Sequence, residues 1–207
     1  MSAGEGDVEP TMLSSSSMAA SPVRRHEPAT YEDLVALPPY VVGEILAGEL
    51  HATPRPAAPH AAAAFGVGLE IGVPFQRGRG GPGGWLFLAE PELHLSDDIV
   101  VPDLAGWRRE RLPEVPDAAF LTLAPDWVCE IASPSTQRLD RGVKMDIYLR
   151  EGVGHLWLLD PIERFVEVFR RQDSAWVRVG SWTGETPARI EPFDAVEIDL
   201  QAVWDAR

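Results

Sequence analysis

A single cysteine, Cys129, and a single lysine, Lys144, are present in a chain of 207 residues. One thiol excludes an internal disulfide and a cysteine-based zinc cluster. It leaves a reducing cytoplasm as the expected compartment. Long apolar runs are missing as well. A run such as His155-Leu156-Trp157-Leu158-Leu159 falls far short of the ~20 residues that a membrane-spanning helix needs, so no membrane partner is expected. Positive charge is also scarce: 18 basic residues face 32 acids, for a net charge of −14. General electrostatic attraction to nucleic acid or to an anionic membrane is thereby excluded, and any nucleic-acid binding must come from a local arrangement.

What remains is ordinary globular material, 45% hydrophobic and 24% charged. The length suits one domain with a tail. Residues 1–28 carry Gly4, Gly6, the Ser14–Ser17 run and Pro22 with few large apolar side chains, too little to offset ordering entropy. They read as a disordered N-terminal tail without the basic start and apolar stretch of a signal peptide. Residues 29–207 form the expected domain.

Thr30 with Asp33 three residues on predicts a capped helix over Tyr31–Leu37, stopped by Pro38-Pro39. A strand pair turning near Ala47-Gly48 follows, with Glu44 and Glu49 on it. A linker of Pro54, Pro56 and Pro59 precedes a predicted helix over His60–Val73. Gly78–Gly84 lacks a following Gly-Lys-Ser/Thr and reads as a connection, not a phosphate-cradling loop. Beyond it, Trp85–Glu90 and Glu92–Leu95 suggest a hairpin-like pair. Ile99–Trp107 and Asp126–Ala132 read as further strands, and a helix is expected from about Asp140 to the stop at Gly152. Strands over His155–Asp160, Phe165–Arg170 and Trp176–Trp182 complete the pattern, the second showing clear period-2 alternation.

Two acids stand in awkward places. Asp103 follows Pro102 inside an apolar strand, and Glu130 interrupts Trp127-Val128-Cys129-Glu130-Ile131-Ala132. A buried carboxylate needs a partner or a metal, whereas Asp103 at a strand end or bulge would be structural. Two such acids with Lys144 form a candidate site. Mg²⁺ takes one or two carboxylates with waters and substrate oxygens completing its shell. It acidifies a bound water and neutralises charge on a phosphoryl group. A lysine ammonium beside that water can orient it and stabilise the transition state. Arginine cannot replace lysine where a compact ammonium is required, which gives the sole lysine a chemical meaning; a coding bias toward arginine is the plain alternative.

Val101-Pro102-Asp103, the stretch from Trp127 to Thr136, and the series Lys144, Tyr148 and Gly152 to Pro161 together resemble the putative restriction endonuclease family of the PD-(D/E)XK nuclease superfamily. Gly43-Glu44-Ile45, Gly48-Glu49-Leu50 and Pro59-His60 are similar to that family's opening segment. The resemblance spans roughly Tyr31 to Arg170. It implies an α/β fold, with a restriction-endonuclease-like mixed central sheet flanked by helices. It also implies a site in which Asp103 and Glu130 hold Mg²⁺ or Mn²⁺ and Lys144 completes the catalytic set. The superfamily's usual lysine position, two after the second acid, holds Ala132 here, and Lys144 on the following helix matches the migrated lysine.

The implied activity is hydrolysis of DNA phosphodiester bonds. A catalytically weak or inactive nuclease-fold binding or regulatory protein, favoured by the net charge, is the competing reading. Arg77, Arg79, Arg108, Arg109 and Arg111 could supply a basic strip or a solvated surface. A homodimer would suit double-strand cleavage. Glu44 and Glu49 could approach the metal or flank the turn as exposed acids. His60 could contact substrate or make a local hydrogen bond at its helix start. Cys129, opposite in alternation to Glu130, is expected in the core. Ser133 and Ser135 are expected to cap local structure.

Overall fold

The computed structural model describes residues 27–133 and 136–204. The predicted tail, apart from its last two residues, and Ser135 lie outside these. Helix α1 (Tyr31–Val35) begins at Thr30, whose side chain accepts from the Asp33 N–H while Asp33 reaches back to the Thr30 N–H. Strands β1 (Val41–Leu46) and β2 (Glu49–Pro54) form a hairpin. Ala47 and Gly48 at its tip both have positive φ, 52° and 81°, as a two-residue turn matched to strand twist requires.

Helix α2 (Ala58–Ile71) starts two residues earlier than its predicted start, with Pro59 in its first turn where a missing N–H costs nothing. A π-helical turn, Gly72–Gln76, extends it. Strands β3 (Trp85–Ala89), β4 (Leu93–Leu95), β5 (Asp98–Val100), β6 (Leu104–Arg108) and β7 (Trp127–Ile131) follow. The crossover to β8 (His155–Asp160) consists of α3 (Gln137–Leu139), a π-helical turn over Asp140–Lys144 and α4 (Met145–Arg150). Strands β9 (Phe165–Gln172) and β10 (Ala175–Thr183) lead to α5 (Leu200–Trp204).

Two sheets result. The larger has the order β10-β9-β8-β7-β6-β3, with β7 and β8 parallel and the other neighbours antiparallel. The smaller has the order β2-β1-β5-β4. This is the expected mixed α/β sheet, with a second sheet that the sequence did not announce. Two expectations are corrected by it. Trp85–Glu90 and Glu92–Leu95 do not pair: β3 hydrogen-bonds to β6, while β4 joins β5 in the smaller sheet. The expected strand Ile99–Trp107 is two strands in two sheets. Pro102, which has no N–H to give a ladder, stands where the chain leaves one sheet for the other.

The faces of the larger sheet bury different things. Helices α2 and α5 cover one face over Trp85, Trp127, Trp157 and Phe193. Their close approach is set at Gly66, where an added Cβ would lie 2.9 Å from the Val203 Cα. The other face packs Val128, Leu156 and Leu158 against Ile147 and Tyr148 of α4 and Leu46, Leu93 and Val100 of the smaller sheet.

Candidate functional site

The junction between the sheets opens a cavity of about 240 Å³ lined by acids, one lysine and one arginine. Because β6 and β7 pair with Leu104 opposite Cys129, Asp103 and Glu130 stand one register step away, across from each other. Asp103 is held twice. Its Oδ2 accepts the Ile131 N–H at 2.6 Å and its Oδ1 lies 2.7 Å from His60 Nε2 on the first turn of α2. A carboxylate only accepts, so His60 donates through Nε2; its Nδ1 is buried with no partner among the described residues.

Glu130, 2% exposed, shares Oε1 between the Tyr148 hydroxyl at 2.5 Å and the Lys144 ammonium at 2.9 Å. Alternation along β7 sends Glu130 to the α4 face and Cys129 into the aromatic core. Lys144, 3% exposed, also lies 3.0 Å from Glu44 Oε1, 3.6 Å from Asp140 Oδ1 and 3.4 Å from the Val101 carbonyl. Glu44 in turn accepts the Val101 N–H at 2.8 Å, tying β1 to the strand junction.

The electrostatics follow from burial and crowding. Burial pushes the Glu130 carboxyl well above the usual range; Lys144 opposes this, and Asp140, Asp103 and Glu44 reinforce it. Burial likewise raises Asp140 despite Lys144 and the Thr136 hydroxyl. Burial alone would depress Lys144, but Glu130, Glu44, Tyr148 and Asp140 together hold its ammonium well above the ordinary lysine value. One buried cation thus serves three carboxylates, with Asp103 close by. Burial, then Asp103 and Glu130, push the Cys129 thiol far up, which removes it as a nucleophile.

A family profile described as Uma2, putative restriction endonuclease, matches residues 28–202. The chain belongs to this family. The crystal structure of a putative nuclease belonging to DUF820, from Anabaena variabilis, superposes with a TM-score of 0.66 at 23% identity. The match covers 86% of this chain and 99% of that one, and shows the same fold. No curated protein matches the chain.

In this member of the Uma2 family, Asp103, Glu130 and Lys144 line one cavity. Three readings change. Glu44 is not an exposed acid beside the turn but is 4% exposed and paired with Lys144; Glu49 is the exposed one. The hydrogen bond of His60 is not local but crosses to Asp103. Three of the arginines do not form a free strip at the cavity: Arg108 covers Trp85, Arg109 bonds the Pro113 carbonyl, and Arg111 pairs with Asp126.

Asp140, Tyr148, Arg55 and Glu90 gain importance from the structure. The i, i+4 spacing of Asp140, Lys144 and Tyr148 carried a usable signal for the first two. Nothing in the sequence marks Arg55 or Glu90. Ser133 accepts the Thr136 N–H at its hydroxyl just before the crossover, whose first helix has Thr136 as its N-cap.

The donor set suits a hard divalent cation: carboxylate oxygens around a recess with surplus negative charge. Among the described residues no group of three or more His, Cys, Asp or Glu side chains forms a ready metal cluster. Mg²⁺ needs only one or two protein carboxylates, and Asp103 and Glu130 are two carboxylates that line the cavity.

Proposed function

We propose that the protein is a divalent-metal-dependent nuclease that hydrolyses phosphodiester bonds in DNA, with Asp103 and Glu130 as the metal-holding acids and Lys144 as the catalytic ammonium. The observation that carries the reading is the convergence of these three residues, from β6's entry, β7 and the crossover, on one cavity. Bound Mg²⁺ or Mn²⁺ would supply charge neutralisation and a more acidic water.

The chain's own residues do the rest. His60 and the Ile131 N–H fix both oxygens of Asp103, so its orientation costs nothing at the moment of reaction. Tyr148 and Lys144 fix Glu130 through one oxygen. Lys144 has three N–H donors and four acceptors around it, and its two longest contacts, to Val101 and Asp140, are the ones it gives up to reach a water or a phosphate oxygen. A water oxygen then bonds to phosphorus and gives up a proton to solvent, the bond to the leaving oxygen breaks, and that oxygen takes up a proton from solvent, so the step is proton-neutral overall.

The near-complete burial of Lys144 and the net charge of −14 favour one second reading, a nuclease-fold binding or regulatory protein with little or no hydrolysis. Incubation of the purified chain with single-stranded and duplex DNA, with and without Mn²⁺, separates the two, with Asp103→Ala as control. Calorimetric Mn²⁺ titration adds a readout independent of turnover: Asp103→Ala and Glu130→Ala should each weaken binding. Unchanged Mn²⁺ binding in both variants refutes the site, and cleavage that survives Asp103→Ala refutes the mechanism.

A further inference from the structure

Five acids line the cavity, Glu44, Glu90, Asp103, Glu130 and Asp140, so a substrate phosphate entering it meets strong repulsion. Lys144 does not answer this at the mouth, because it is 3% exposed and is already paired with Glu44, Glu130 and Asp140 in the cavity wall. Among the described lining residues the remaining permanent cation is Arg55. Its side chain is 57% exposed, and its NH1 rests 3.3 Å from Glu90 Oε2, itself 40% exposed.

Both residues are placed by backbone constraints. Arg55 lies between Pro54 and Pro56, and a residue before proline is confined to extended conformations, so its side chain leaves the end of β2 in a limited set of directions. Glu90 follows β3 with a φ of 46°, rare for a residue other than glycine, and its N–H bonds the Asp103 carbonyl at 3.0 Å. The Glu90 backbone is therefore anchored to the same residue whose carboxylate we assign to the metal. An exposed ion pair such as Arg55–Glu90 contributes only ~0–1 kcal/mol, so it opens readily when a better anion arrives.

We infer that Arg55 is the phosphate anchor at the mouth of the site and that Glu90 is its place-holder, releasing the guanidinium when a nucleic-acid phosphate takes the position. A guanidinium offers paired donors that match phosphate oxygens in a way an ammonium does not. The assignment rests on the proposed reading that the cavity receives a phosphodiester. It explains how a strongly acidic protein admits a polyanion: one local cation is held ready, and its carboxylate partner leaves only for an anion that binds better.

The test uses the full chain with a short fluorescein-labelled oligodeoxynucleotide in Ca²⁺, read by anisotropy over a salt series. Arg55→Ala should weaken binding about tenfold or more. It should also lower the salt dependence by about one phosphate contact. Arg55→Lys should recover only part of the affinity. Glu90→Gln should tighten binding several-fold in the wild-type background, and that gain should largely vanish when combined with Arg55→Ala. Arg55 is exposed enough that its thermal midpoint should hold, and a midpoint measurement accompanies each variant.

Wild-type affinity and salt slope in Arg55→Ala overturn the inference while leaving the nuclease reading in place. A Glu90→Gln gain that persists undiminished without Arg55 overturns the place-holder role, since it then reflects charge removal alone. A wild-type chain that binds no oligonucleotide, single-stranded or duplex, overturns both readings together.

Discussion

Along β7, Trp127, Cys129 and Ile131 enter a core of Trp85, Phe87, Trp157 and Phe193, while one residue away Glu130 enters a cage of Lys144, Tyr148, Glu44 and Asp140. Both environments are almost fully dry. On the aromatic side Phe193 touches five rings at centroid distances of 4.9–5.6 Å, in tilted or edge-on geometries. That side gains from each group independently of its neighbours' protonation. In the cage the buried carboxylates are tolerable only because Lys144 is charged among them, since a buried ion pair roughly offsets its own desolvation and fails badly when one partner goes. The same strand thus carries one face selected for packing and one that packing alone does not account for.

The largest effects should come from breaking each face at its centre. Phe193→Ala should cost about 3–5 kcal/mol by opening a cavity among the rings. Lys144→Met should cost a comparable amount, about 3–5 kcal/mol, by leaving Glu130 and its neighbours without their cation. The two should part company with pH. Lys144 lowers the pKa of both Glu130 and Asp140, so its loss raises their folded values further above the unfolded ones. A carboxyl whose folded pKa is raised is destabilising above its unfolded pKa, near 4, and neutral in effect below it. The Lys144→Met deficit should therefore shrink as pH falls from 7 toward 4, while the Phe193→Ala deficit stays nearly flat. Parallel deficits across that range in urea melts would remove the distinction between the faces. The stability loss also means that turnover in Lys144 variants must be read on folded protein only.

Much of the cage was legible because buried charge in an apolar strand is costly and therefore conspicuous. Asp103 and Glu130 stood out in this way, and Lys144 stood out by being the sole lysine. The strands β7 to β10 were legible as short apolar segments, helped by the alternation of Phe165–Arg170 and the helix stop at Gly152. What the sequence did not disclose depended on contacts between distant segments. Glu44 sits in the same kind of pattern as Glu49, two acids near one turn, and only the docking of β1 on β5 buries the first and leaves the second in water. The pairing of β3 with β6 rather than β4 is a choice between sheets, and local propensity is silent on it. Arg55 and Glu90 meet across separate loops, so neither carried a local signal.

A smaller effect tests whether His60 belongs to the cage chemistry or to the packing of α2. His60→Ala removes the donor to Asp103 Oδ1, and Mn²⁺ affinity should fall about tenfold, as when an outer partner of a metal ligand is lost. His60→Gln keeps an N–H donor of similar reach and should recover most of that affinity. Equal loss of affinity in both variants, matched by equal falls in thermal midpoint, would assign His60 to packing alone.

The smallest effect sharpens the claim that the aromatic packing itself is insensitive to pH. His155 opens β8 on the aromatic face, with Glu191 at 3.5 Å from its Nε2. Burial lowers its pKa, Glu191 offsets this in part, and Arg170 and Arg108 add to the lowering. The sign of the consequence is fixed by linkage. Below the unfolded value near 6.5 the unfolded chain takes up a proton that the folded chain resists, so stability falls as pH drops through that region. His155→Gln should flatten this part of the stability curve between about pH 7 and 5 and leave Mn²⁺ binding untouched. Measured in the Phe193→Ala background as well, the same flattening should appear, because the histidine's titration and the ring cavity act through different physics. If the slope survives the substitution in both backgrounds, the acid sensitivity of the protein in this range lies with other groups, and the cage carboxylates become the first to examine.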